Sequence, residues 1–175
     1  ILKTYRRLGV KECFLDNWRL YEEFFDDVRY IILARDPRDV MLSVLDYGEH
    51  ADWHKKMWAD RSDEHIAAQF SRAWSHQLDM LNSSNCLRVR YEDLCRGKVG
   101  FSAIAKFCGL DFDEPGSVSQ SLEAFPWRAW EIERHSGRLT ESAVHRWKEE
   151  TDETRLQRVH SLAKLMSDYC GFWGY

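Results

Sequence analysis

Proline and glycine are both scarce in this sequence: three Pro and nine Gly among 175 residues. No Pro/Gly/Ser-rich linker and no internal repeat interrupts it, so a single domain with a sizeable core is expected over residues 1–175. No apolar run approaches the ~18 residues of a membrane span, and no secretory signal is visible. Positive charge is not in excess, with 25 Lys+Arg against 29 Asp+Glu and a net charge of −4. That argues against bulk electrostatic binding of nucleic acid, and an anionic ligand would need a local basic cluster. The five cysteines (Cys13, Cys86, Cys95, Cys108 and Cys170) are odd in number and contain no C-x-x-C. They read as reduced thiols, not as a disulfide framework or zinc site, and point to a cytoplasmic setting. The chain also lacks an initiating Met and opens on "ILKTY", which reads as mid-strand. A segment preceding Ile1 is therefore expected to be missing.

What the chain does have is a globular balance of 44% hydrophobic and 31% charged residues, with eight Trp. The local patterns alternate. Residues 1–5 read as a short strand, and "DNWRLYEEFFD" (16–26) as a helix capped by Asp16. "RYIILA" (29–34) is a continuous apolar run that suits a strand buried on both faces of a parallel sheet. Residues 38–47 follow as a helix whose start is set by Pro37. "GEHADWHKKMWADR" (48–61) reads as a polar and aromatic excursion. A long helix is expected over 62–82, with Ile66, Phe70, Ala73, Trp74, Gln77, Leu78 and Leu81 on one face. "CLRVRYEDL" (86–94) reads as a second strand, 98–108 as a helix stopped by Gly109, 111–137 as irregular, and 152–170 as one final helix. Strands alternating with helices predict an α/β layered fold with a parallel sheet.

In such a sheet, ligands bind outside the carboxyl ends of the strands. Arg35 stands at that place, and Ser43 lies eight residues on, in the first turns of the next helix. A guanidinium fork and a hydroxyl near a helix N-terminus are suited to holding a phosphate. The plainer reading of the spacing pairs Arg35 with Asp36 or Asp39 as a surface ion pair.

"ILARDPRDVMLSVLDY" resembles the 3′-phosphate-binding segment of the sulfotransferase family, whose members use 3′-phosphoadenosine 5′-phosphosulfate as sulfuryl donor. The family pattern is a strand, Arg-x-Pro-x-Asp, then Ser four residues beyond the Asp; Arg35, Pro37, Asp39 and Ser43 match each position. "LRVRYEDL" (87–94), "FSAIAKFCGLDFDE" (101–114) and "HRWKEE" (145–150) resemble later family segments in the same order. The resemblance implies a three-layer P-loop-type fold with a central parallel sheet flanked by helices. It implies that Arg35 and Ser43 bind the 3′-phosphate and that Tyr91 sits near the adenine or ribose. It also implies a second basic residue on that phosphate, with Arg138 the first choice and Arg134 or Arg146 the substitutes. The donor is a co-substrate, no metal is required, and the acceptor would be a small molecule or glycan offering a hydroxyl or amine.

Two departures qualify the resemblance. The N-terminal phosphate loop is absent: Gly97-Lys98 is followed by Val, and "RGKVG" reads as a surface turn. Cytosolic members carry Lys-Thr-His where this chain has Lys3-Thr4-Tyr5. Lys3 matches the lysine that would steady charge on the transferring group. Tyr5 occupies the place of the base, yet a phenol with a pKa of about 10 removes protons poorly. The catalytic candidates are therefore Lys3 and Tyr5. The alternative is a degenerate module that binds 3′-phosphoadenosine nucleotides without catalysis. A nucleotide kinase is disfavoured by the lack of a Gly-Lys-Ser/Thr loop and an arginine-rich lid.

Three further features have plain explanations. His50 and His54 stand at i, i+4, a zinc-compatible spacing, but no third ligand is evident and a solvated loop is favoured. His50, Trp53, His54, Trp58 and Phe125–Trp130 lie where acceptor loops would be, although aromatic loops also pack over cores. Trp74 reads as core.

Overall fold

The computed structural model describes residues 9–11, 16–83, 85–110 and 140–175. Strand β1 (Tyr30–Ala34) pairs in parallel with β2 (Cys86–Arg90), register running from Tyr30↔Cys86 to Ala34↔Arg90. A parallel pair cannot be joined by a tight turn. The chain between them forms α2 (Pro37–His50), α3 (Asp52–His54) continuing into a π-helical turn (Lys55–Ala59), and α4 (Asp63–Leu81). Before the sheet lies α1 (Arg19–Phe24); after it come α5 (Tyr91–Cys95), α6 (Phe101–Cys108), α7 (Glu153–Leu165) and α8 (Ser167–Trp173). The described architecture is thus a mixed helical fold around a small parallel two-stranded sheet, of α/β type.

The helix starts follow capping chemistry. Asp36 accepts the Arg38 N–H at 2.9 Å, with Pro37 in the first turn where its missing N–H is harmless. Ser62 accepts the His65 N–H at 3.3 Å, and Asp152 the Arg155 N–H at 3.0 Å. Gly109, at φ +64°, ends α6 in the left-handed conformation that favours glycine. The core joins Tyr30, Ile32 and Ala34 of β1 to Met41, Leu42 and Val44 of α2, Ile66 and Trp74 of α4, Val159 and Leu162 of α7, and Tyr169 and Trp173 of α8. Each of the large apolar side chains among these contributes about 1.5–3 kcal/mol by leaving water. Trp74 is core, as its spacing suggested, with edge contacts to Tyr169 and Phe172 at 5.2 and 4.9 Å.

Several expectations are corrected. Strand β1 alternates: Ile31 and Leu33 are 40% and 52% exposed, so the apolar run is buried on one face. Asp16 does not cap α1, which starts three residues later; it pairs with Arg72 at 2.8 Å instead. The 48–61 stretch is mostly helical, because α2 runs on to His50 and a second helical segment starts two residues later. Strand β2 stops at Arg90, and Tyr-Glu-Asp-Leu-Cys coils into α5, with Glu92 and Asp93 in its first turn where the helix dipole favours acids. The final helix breaks at Met166 into α7 and α8. Among the described residues, no helix is long and apolar enough to cross a membrane.

Candidate functional site

Ala34 and Arg90 are register partners at the last rung of the sheet. The next residue on each strand, Arg35 and Tyr91, therefore emerges side by side at the carboxyl edge. The Arg35 guanidinium lies over the Tyr91 ring, 4.5 Å from its centroid. A cation over a ring face gains electrostatic attraction, and a planar guanidinium suits it best. From α2, Ser43 places its Oγ 3.4 Å from one terminal nitrogen of Arg35; the other donates to the Ala143 carbonyl at 3.2 Å. Arg35 Nε is buried with no hydrogen-bond partner among the described residues. Arg35, Ser43 and Tyr91, three residues picked out by sequence, thus converge at one edge.

Arg35 does not form the ion pair with Asp36 or Asp39 that was the plainer reading of its position. The fully buried Asp36 carboxylate takes Arg38 in a two-pronged bond, at 2.8 Å to Nε and 2.8 Å to a terminal nitrogen. The Trp147 ring lies beneath the Arg38 guanidinium at 4.3 Å. Asp39 accepts the backbone N–H groups of His145 and Trp147 at 2.7 and 3.1 Å. Burial raises the Asp39 pKa above the usual carboxylate value, although those two bonds and the nearby Arg35 charge pull the other way. His145 itself is left-handed at φ +60°, a costly conformation for a residue with a Cβ, and its N–H reaches Asp39 from that turn. The Tyr91 phenol is pushed up by burial and by its bond with Cys95, against the Arg35 charge.

Beneath Arg35 lies a polar layer that sequence reasoning missed. The Tyr169 hydroxyl accepts the Arg35 N–H and donates to the Arg35 carbonyl, both at 3.1 Å. The buried Glu92 carboxylate accepts the Asp36 N–H and the Tyr175 hydroxyl, both at 2.9 Å. Burial raises the pKa of both phenols, so each stays protonated and able to donate. The Tyr-Glu-Asp-Leu segment placed Glu92 beside Tyr91, but the sequence assigned neither Tyr169 on the final helix nor Tyr175 a role at this edge.

Other candidates fall elsewhere. Lys3, Tyr5, Arg134, Arg138 and the stretch Phe125–Trp130 lie outside the described residues. Arg146 is tied to Asp46 at 2.8 Å. "RGKVG" is a surface turn, with Gly97 at φ +68° and the Lys98 N–H on the Asp93 carbonyl at 2.9 Å. His54, half-buried on a largely exposed helical segment and not in a loop, meets Tyr47 at a tilt with ring centroids 4.7 Å apart, and no group of three metal-ligating side chains occurs among the described residues.

A forked cation beside a hydroxyl, backed by an aromatic face at a strand edge, can seat a compact anion. A match to the sulfotransferase family covers residues 14–114, more than half of the chain, Arg35, Ser43 and Tyr91 among them. The chain belongs to the sulfotransferase family. No curated protein and no solved structure matches it.

Proposed function

We propose that the protein transfers a sulfuryl group from 3′-phosphoadenosine 5′-phosphosulfate to a hydroxyl or amine of a small-molecule or glycan acceptor. Arg35 and Ser43 seat the donor's 3′-phosphate, and Tyr91 borders the ribose or adenine. The observation that carries this reading is the Arg35 guanidinium, clamped between Tyr91, Ser43 and the Ala143 carbonyl while its buried Nε has no partner among the described residues. A donor aimed at nothing costs free energy, and a bound phosphate oxygen offsets that. Arg138 is the proposed second cation on the same phosphate. The sheet is proposed to be the centre of a three-layer P-loop-type fold.

Transfer forms a bond from the acceptor oxygen or nitrogen to sulfur and breaks the sulfur–oxygen bond to the 5′-phosphate. The demands on the protein are in-line positioning and neutralisation of the leaving phosphate. Lys3 is proposed for the second task. Tyr5 stands at the family's base position and would need a lowered pKa to take the acceptor's proton. That substitution favours a second reading, in which the chain binds the nucleotide without transferring sulfuryl.

Calorimetric titration with adenosine 3′,5′-bisphosphate tests the seat. Wild type is expected to bind, and Arg35→Ala to weaken binding by about a hundredfold, as when a charge-assisted bidentate contact is lost. A folded wild type that does not bind, or an Arg35→Ala variant that binds equally well, would overturn the assignment. Mass-detected transfer to a panel of hydroxyl and amine acceptors separates the enzyme from the non-catalytic reading.

A further inference from the structure

We infer that Tyr169, seconded by the Glu92–Tyr175 pair, is a positioning residue that aims Arg35 at the phosphate; this rests on the nucleotide seat proposed above. Arg35 lies one residue past the last paired rung of β1, where the parallel ladder no longer holds its backbone. A residue just outside a sheet is free to rotate about φ and ψ unless other groups take its N–H and C=O.

Here both are taken by one atom. The Tyr169 hydroxyl accepts from the Arg35 N–H and donates to its carbonyl, both at 3.1 Å, so a single O–H stands in for the missing rung. The next amide, of Asp36, is fixed by Glu92 at 2.9 Å, and Glu92 is held by the Tyr175 hydroxyl at 2.9 Å. Three consecutive main-chain groups are thus anchored by side chains from α8 and α5, with the C-terminal Tyr175 holding the α5 carboxylate in place. Both tyrosine rings are themselves locked: they stack on each other at 6.0 Å, and Tyr169 meets Trp74 edge-on at 5.2 Å.

The same α5 turn that supplies Glu92 supplies Tyr91, the ring under the Arg35 guanidinium. Backbone direction and side-chain platform therefore come from one small unit. Tilting the Arg35 backbone would swing the guanidinium off Tyr91 and away from Ser43. Neither Tyr169 nor Tyr175 has to touch the nucleotide for this to act. Their effect is specific to the 3′-phosphate, because only that group would be read by Arg35.

The test compares two ligands on the intact chain: adenosine 3′,5′-bisphosphate and adenosine 5′-monophosphate, which lacks the 3′-phosphate. The ratio of their dissociation constants isolates the 3′-phosphate contribution. Tyr169→Phe keeps the ring and deletes the hydroxyl. It is expected to lower that ratio by about tenfold while leaving monophosphate affinity within about twofold. Combined with Arg35→Ala, it is expected to add no further loss, as coupled residues do not add.

An unchanged ratio in Tyr169→Phe, with Arg35→Ala collapsing it, overturns the positioning role and leaves the seat intact. Equal weakening of both ligands also overturns it, since that is what general structural damage produces. An unchanged ratio in Arg35→Ala removes the seat itself and the inference with it. Should Tyr169→Phe fail to fold, Tyr175→Phe makes the same test through Glu92, with a ratio lowered several-fold expected and an unchanged ratio overturning the role.

Discussion

At the level of single residues, burial is the largest influence on Asp39, Tyr91, Tyr169 and His54. Arg35, Arg38 and Asp39 lie within five positions, yet the carboxylates nearest Arg35 in sequence serve Arg38 and two backbone amides. His54 shows the consequence for pH. Its ring lies between Tyr47 and Trp53, with centroids at 4.7 and 5.4 Å, and burial lowers its pKa from the ordinary 6.5. In the unfolded chain the imidazole gains its proton first as pH falls. Stability contributed by His54 is thus fully present above the unfolded value and is lost as pH drops through the lower folded one. Thermal midpoints measured from neutral pH downwards are expected to fall from about pH 6.5, and His54→Gln to flatten that segment of the curve. Equal slopes in wild type and variant would show that the imidazole titrates the same way folded and unfolded.

Among the elements, α2 brings Ser43 to the site, and its far end is where local propensity and packing disagree. Gly48 sits inside α2 and is buried. Helix propensity alone says that Ala is better there by about 1 kcal/mol. A Cβ at Gly48, however, would stand 2.5 Å from the Ala59 Cβ and 3.6 Å from the Lys55 Cα, on the π-helical turn folded against α2. Neither neighbour is a flexible side-chain tip, so the backbone has to move, at a cost of about 1–3 kcal/mol. Packing wins: Gly48→Ala is expected to lower stability in denaturant titration, and Gly48→Ala with Ala59→Gly to recover part of the loss. A stabilised single variant would mean that the two segments are not in contact. The same close approach explains why 48–61 was illegible as helix. Its glycine, histidines and lysines look like loop composition, and only a packing partner eleven residues away accounts for the glycine. The caps at Asp36, Ser62 and Asp152 are local chemistry, and helix starts at Pro37, Asp63 and Glu153 lie within a residue or so of those read from the sequence. The end of β2 was not legible, because Tyr91 continues the alternation by composition while Glu92 is drawn into a buried bond with the Asp36 N–H.

Across the whole molecule, the part that the sequence reading undervalued is the C-terminal end. The residues of the proposed seat, Arg35, Ser43 and Tyr91, were recognisable because they match the resembled pattern just past the ends of two paired strands. What holds that strand end comes from more than a hundred residues away, where a tyrosine on an amphipathic helix looks like any other core aromatic. Helix α7 packs beside α2, and its Arg155 engages Asp46, Glu49 and Glu150, so the last segment is also tied down by charge. Helix α8 then closes the core with Tyr169 and Trp173 and delivers Tyr175 to Glu92. Deleting residues 167–175 therefore removes more than a tail. Two buried aromatics contribute about 2–3 kcal/mol each, and a buried carboxylate deprived of a donor costs about 1–3 kcal/mol more. That total rivals the about 5–15 kcal/mol that keeps an ordinary domain folded. The shortened chain is expected to lose its cooperative thermal transition and its near-ultraviolet circular dichroism, while some helical far-ultraviolet signal persists. A sharp transition retained within a few degrees of wild type would show that α8 is an appendage, and that the hydrogen bonds beneath Arg35 are not part of what folds the sheet edge.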